Sequence, residues 1–162
     1  MREIRIHDTL TNAPKPLEPR DPGKVGIYAC GPTVYARIHV GNARPYVVFS
    51  LLKRFLQHEG YDTKLVINIT DVNDKIYAAA EDRGIPCDEL AGEMTLVLVA
   101  ETNGLALGRP DAEPKAAETV GPIVDLIGAL VDQDAAYPAA GDVYFRVGAF
   151  PDYGKLSNRA LE

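Results

Sequence analysis

Apolar and polar positions alternate first near the N-terminus, where Ile4 and Ile6 flank Arg5 and residues 3–7 read as a short strand. Residues 12–23 carry Pro14, Pro16, Pro19 and Pro22, which predicts an extended connection with no helix. Residues 24–30 include Val25, Ile27 and Tyr28 and stop at Gly31-Pro32, the pattern of a buried strand. The spacing then changes. Val47, Val48, Leu51, Leu52, Phe55 and Leu56 recur at helical steps on one face, with Ser50, Lys53, Arg54, Gln57 and His58 on the other. Pro45 is tolerable only in a first turn, so the helix is predicted to begin near Gly41 to Arg44, with Gly60 as its stop. Residues 63–70, with Leu65, Val66, Ile67 and Ile69, form a second predicted strand. Strand, helix and strand within roughly 45 residues is the size of a βαβ unit with two parallel, buried strands. That is the opening of a nucleotide-binding α/β fold.

Beyond it the pattern turns helical. Residues 73–83 and 88–107 read as helices separated by Gly84 and Pro86. Val120, Ile123, Val124, Ile127, Leu130 and Val131 mark another amphipathic helix, which either starts near Pro122 or is kinked there. Residues 143–147 read as a closing strand.

The 162 residues suit one domain with a sizeable core, or a large piece of a bigger one. No apolar run approaches a membrane span, and the first eight residues lack the apolar stretch of a secretory signal. Cys30 and Cys87 cannot make a disulfide framework, so a reducing cytoplasm is expected. These features exclude a secreted knot, a membrane protein and a disordered tail. The formal net charge is −6, unevenly spread. Residues 84–142 hold 11 acidic and two basic side chains, and the remainder holds 15 basic against 12 acidic. The acidic stretch reads as a solvated helical face and argues against a dedicated nucleic-acid-binding module, though not against an enzyme with RNA contacts elsewhere.

The richest chemistry lies between the first βαβ strand and its helix: Tyr28-Ala29-Cys30-Gly31-Pro32-Thr33-Val34-Tyr35, then His39-Val40-Gly41-Asn42. Ligands of open α/β sheets bind beyond the C-terminal ends of parallel strands. Gly31 permits close backbone approach to a ligand. His39 and Asn42 stand at the helix entrance, where unpaired N–H groups and the positive dipole end favour phosphate. Cys30 brings a soft sulfur to the same loop. Singly, each has a plainer reading: a small buried hydrophobe, a helix cap, an N-cap asparagine, a turn. Their combination and spacing carry the inference.

Those runs, together with Asn68-Ile69-Thr70-Asp71-Val72-Asn73-Asp74-Lys75, resemble cysteinyl-tRNA synthetase, a class I aminoacyl-tRNA synthetase. The resemblance continues through Arg109-Pro110, Glu113-Pro114, Gly141-Asp142-Val143-Tyr144-Phe145 and residues 150–157, nearly the whole chain. It implies an α/β fold: the first half of a class I synthetase Rossmann-like nucleotide-binding fold, a parallel sheet with flanking helices, over residues 1–83. A mainly helical, acidic connective insertion ending in a strand is then expected over residues 84–162.

The implied activity is that of a cysteine–tRNA ligase, in which cysteine is activated by ATP to cysteinyl-adenylate and transferred to tRNA-Cys. His39 and Asn42 would donate hydrogen bonds to the ATP phosphates as charge builds, Gly41 would leave room for adenine, and Mg²⁺ would accompany ATP. Cys30 matches one ligand of a zinc ion that grips the substrate thiolate and so rejects serine. Gly31, Thr33 and Thr70 would line the cysteine pocket. The other zinc ligands, the lysine-rich loop that clamps the triphosphate and the anticodon-binding domain are expected beyond Glu162, so this chain alone is expected not to form the adenylate. Two alternatives stand beside this reading: the mycothiol-pathway cysteine ligase of the same superfamily, and a non-catalytic nucleotide- or cysteine-binding module.

Overall fold

In the computed structural model, which describes residues 2–159, the elements run β1 (Arg5–Asp8), β2 (Ala13–Pro16), β3 (Lys24–Ala29), α1 (Val40–His58), β4 (Asp62–Ile67), α2 (Asp74–Arg83), α3 (Cys87–Gly104), α4 (Val120–Asp132), β5 (Ala136–Ala139) and β6 (Asp142–Phe145). They form two compact units, one of residues 19–119 and one of residues 2–18 with 120–159. The expected boundary at residue 83 falls inside the first unit, between α2 and α3.

In the first unit β3 and β4 pair in parallel, Lys24 opposite Asp62 through Ala29 opposite Ile67. The crossover α1 runs along the pair, as the βαβ spacing predicts. Buried Ala29, Leu65, Ile67 and Ile69 share one apolar core with Tyr46 of α1, Ile76 and Ala80 of α2, and Leu90, Met94 and Leu98 of α3. The parallel arrangement extends past β4. Residues 111–116 run beside its other edge, with Asp111 N–H donating to Leu65 O (2.7 Å), Ile67 N–H to Ala112 O (3.1 Å) and Ile69 N–H to Pro114 O (2.9 Å). β4 is therefore flanked on both sides.

Helix α1 starts earlier than Pro45 suggests. Val40 is its first residue and Pro45 lies in the second turn, because His39 and Asn42 cap each other upstream. Gly60, at φ +94°, adopts the left-handed conformation expected of the stop. Asp111 ties the three layers together: one carboxylate oxygen accepts from Leu65 N–H (2.6 Å) and pairs with Lys53 Nζ of α1 (2.7 Å).

The Leu65 N–H, then Lys53, hold the Asp111 carboxyl below the usual carboxylate range. A depressed folded-state pKa stabilises fully above the unfolded value of about 3.9, and that contribution is lost as pH falls through the folded value. Asp111 is 40% exposed, so solvent screening limits the effect to about 1 kcal/mol. Asp111→Asn is expected to lower stability by about that amount at pH 7 and to flatten the acid limb below about pH 4, measured by urea unfolding across pH.

In the second unit β1 and β2 pair antiparallel, so the proline-rich connection is extended, as expected, but partly paired. The Asp8 carboxylate closes their loop by accepting from the Thr11 hydroxyl and from the N–H groups of Leu10 and Thr11. The predicted closing strand is β6, and its partner is the neighbouring β5 in an antiparallel hairpin. The two turn residues, Ala140 at φ +53° and Gly141 at φ +91°, match the left-handed pair of a tight hairpin turn. Pro122 lies in the first turn of α4, which settles the choice between helix start and kink. No described helix is long and apolar enough to cross a membrane.

Candidate active site

At Ala29 the chain leaves the β3–β4 ladder, and Gly31 passes hard against the end of β4. A Cβ on Gly31 would lie 1.6 Å from Asn68 O and 2.8 Å from Asn68 C. The strand-to-strand approach by itself requires glycine here, independently of any ligand. Asn68, a residue that reading quoted but gave no role, holds the junction. Its Oδ1 accepts from Gly31 N–H (2.9 Å), and its amide donates to the Thr70 hydroxyl (3.2 Å). Thr33 and Thr70 bridge one step further on, with Val34 N–H donating to Thr70 O (3.1 Å). An asparagine between apolar strand residues was the available signal.

Across the loop stands the start of α1. His39 is the N-cap, and its Nδ1 accepts from Gly41 N–H (3.0 Å) while Asn42 Oδ1 accepts from His39 N–H (3.3 Å). With Nδ1 used as an acceptor, the neutral ring carries its proton on Nε2, which leaves Nε2–H as a donor. A Cβ on Gly41 would meet His39 Cε1 at 2.7 Å, so the missing side chain lets the imidazole fold over the first turn.

A cleft of about 130 Å³ lies between the two segments, walled by Cys30, Gly31 and Pro32 on one side and Gly41, Asn42 and Pro45 on the other, with Tyr46. Cys30 is exposed. The thiol-bearing residue and the helix mouth thus share one cleft, and His39 stands beside it against Gly41.

Tyr46 links this cleft to the interior. It is buried, and its hydroxyl, like Glu113 Oε1, has no hydrogen-bond partner among the described residues. Burial, and then the Glu113 carboxylate, push the Tyr46 hydroxyl up to about 12, with Arg109 acting in the opposite sense. Arg109 bonds the other Glu113 oxygen and the Thr102 hydroxyl (2.9 Å), so the Arg109-Pro110 and Glu113-Pro114 runs anchor residues 111–116 to α3.

The second cysteine and the two other histidines lie elsewhere. Cys87 lines a separate pocket with Asp71 and Asp88, His58 ends α1, and His7 belongs to the second unit. Among the described residues no group of three or more His, Cys, Asp or Glu could hold a metal ion. At the cleft they offer zinc the Cys30 thiol and no complete donor set.

A parallel βαβ unit with its cleft at the strand ends and a capped His-Val-Gly-Asn helix mouth has the fold of class I aminoacyl-tRNA synthetases. Mycobacterium tuberculosis methionyl-tRNA synthetase in complex with methionyl-adenylate superposes with a TM-score of 0.62 at 22% identity, over 70% of this chain and 22% of that one. The Agrobacterium radiobacter LeuRS complex with tRNA and LeuAMS gives a TM-score of 0.61 at 19% identity, over 74% of this chain and 16% of that one. The sequence narrows the class: residues 16–162 match the tRNA synthetases class I (C) catalytic domain, and the chain belongs to that family. Relatives named cysteine–tRNA ligase include those of Brevibacillus brevis, 42% identical over 98% of this chain and 34% of the relative, and of Anaeromyxobacter, 48% identical over 98% and 33%. The chain spans about a third of the length of the curated relatives it matches.

Proposed function

We propose that this chain supplies the ATP- and cysteine-binding part of a cysteine–tRNA ligase, which forms cysteinyl-adenylate and passes the cysteinyl group to tRNA-Cys. One observation supports it above the others: Cys30 and the helix mouth at Gly41-Asn42 face one cleft at the end of a parallel strand.

In the proposed reaction a cysteine carboxylate oxygen attacks the α-phosphorus of ATP. The bond to the bridging oxygen breaks, and its electron pair leaves with pyrophosphate. The nucleophile is already ionised, so no general base is needed. What the protein must supply is placement and donors for the growing charge. His39 Nε2–H and the Asn42 amide fit that role, beside the N–H groups of the first turn of α1. Thr33, Thr70 and the Gly31 backbone would hold the amino-acid end.

Zinc belongs to the finer part of the proposal. When bound it would supply soft-ligand discrimination of a thiolate from a hydroxyl, with Cys30 as one ligand. The described residues alone do not complete its site. The proposed setting is a reducing cytoplasm, consistent with two free thiols.

A protein of the relatives' length carrying this sequence is expected to catalyse cysteine-dependent ATP–pyrophosphate exchange and to give little exchange with serine. Cys30→Ser is expected to abolish that preference and its zinc content, read by metal analysis. Full metal content in Cys30→Ser would remove Cys30 from the ligand set, and absence of cysteine-dependent exchange in the parent would overturn the function.

A further inference from the structure

We infer that Glu101 of α3 is a positioning residue for the His39 helix mouth, holding the Ile38 backbone N–H and the Arg37 side chain immediately before the cap. The geometry of this brace stands by itself; its consequence for catalysis rests on the function proposed above.

The segment leading into His39 has little else to fix it. Val34 N–H is held by Thr70 O, and His39 N–H by Asn42. Between these two points, among the described residues, one backbone N–H is bonded: that of Ile38, which donates to Glu101 Oε2 (3.1 Å). The other carboxylate oxygen accepts from Arg37 Nε (2.6 Å). The two contacts differ in weight. Arg37 is 79% exposed, so its ion pair contributes little. The bond to Ile38 is charge-assisted and part-buried, the stronger kind. Arg37 does keep the carboxyl below the usual carboxylate range, so Glu101 remains an acceptor through neutral pH.

Ile38 is thereby fixed at two points, because its side chain also packs on the core that α3 shares. The next residue is His39, whose extended backbone (φ −107°, ψ 174°) sets the cap and aims the imidazole. Freedom at Ile38 passes directly into the Gly41–His39 and His39–Asn42 bonds. A displacement of about 1 Å in a reacting group is enough to cost roughly 100-fold in rate. A carboxylate 63 residues downstream of Ile38 therefore ties the helix mouth to the acidic stretch.

Hydrogen–deuterium exchange on the full chain tests the brace. In Glu101→Ala the amides of Ile38 and Gly41 are expected to exchange roughly 10- to 100-fold faster, with Ile85, bonded to Ala80 O, unchanged. Glu101→Gln keeps an acceptor and is expected to restore most of the Ile38 protection. Unchanged exchange at Ile38 and Gly41, or a rise shared equally by Ile85, overturns the inference. In a protein of the relatives' length, Glu101→Ala is expected to lower kcat of pyrophosphate exchange by roughly 10-fold with KM for cysteine unchanged, and Glu101→Gln to recover part of it. A wild-type protein without exchange activity would remove the catalytic reading while the amide measurement still decides the brace.

Discussion

Gly31→Ala is expected to destabilise the first unit by about 3 kcal/mol or more, with loss of the Thr33–Thr70 bridge. The obstacle to a methyl group is backbone: Asn68 O at 1.6 Å and Asn68 C at 2.8 Å, which no rotamer change can clear. Relief requires the end of β3 to move from the end of β4 by more than an ångström. That breaks the Gly31–Asn68 bond and carries Cys30 away from the helix mouth. Gly26, also in β3, has nothing within 4 Å of an added Cβ and is the matched control. Thermal unfolding followed by exchange of β3 and β4 amides should show a fall of roughly 6–12 °C for Gly31→Ala and little for Gly26→Ala. Equal, small shifts in both would show that the junction yields easily and that Gly31 has no structural claim on its position.

His39→Ala is expected to reduce the rate of cysteine activation by roughly 10²–10³, with cysteine affinity little changed. Two losses must be separated. Removing the cap at Nδ1 costs about 1 kcal/mol of helix stability. Removing a donor to developing phosphate charge costs about 2.7–4 kcal/mol of barrier, and only this second loss is large enough for the expected fall. His39→Asn keeps a capping acceptor but cannot place a donor where Nε2 stands, so it should retain the stability of α1 and still lose most of the rate. Steady-state pyrophosphate exchange with unfolding curves for both variants separates the effects. A fall in rate below about threefold in both would show that the imidazole serves the cap alone.

Legibility in the sequence followed periodicity. β3, α1 and β4 could be read because their apolar positions repeat at strand and helix spacing and their ends carry glycine or proline. The strand-like path of residues 111–116 could not be, since Pro110 and Pro114 argue against a strand and the segment's apolar content is small. The β5–β6 hairpin was hidden for a related reason: Ala140 takes the left-handed position where asparagine or glycine is the usual sign. At the site, Cys30, Gly31, Gly41 and Asn42 were legible as a group, and the structure gathers them. The reason for Gly31 was not, because its neighbour Asn68 is 37 positions away. Glu101 carries no local signal at all. It is one of 11 acidic residues in its stretch, and only the fold distinguishes it.

Pro45, inside the second turn of α1, has a chemical consequence for the cleft it lines. A proline offers no N–H, so the carbonyl oxygen of Gly41, four residues before it, lacks its customary helical donor. Gly41 and Pro45 both belong to the cleft wall. The cleft is therefore walled by a helical turn in which the usual N–H to C=O link between these two residues cannot form.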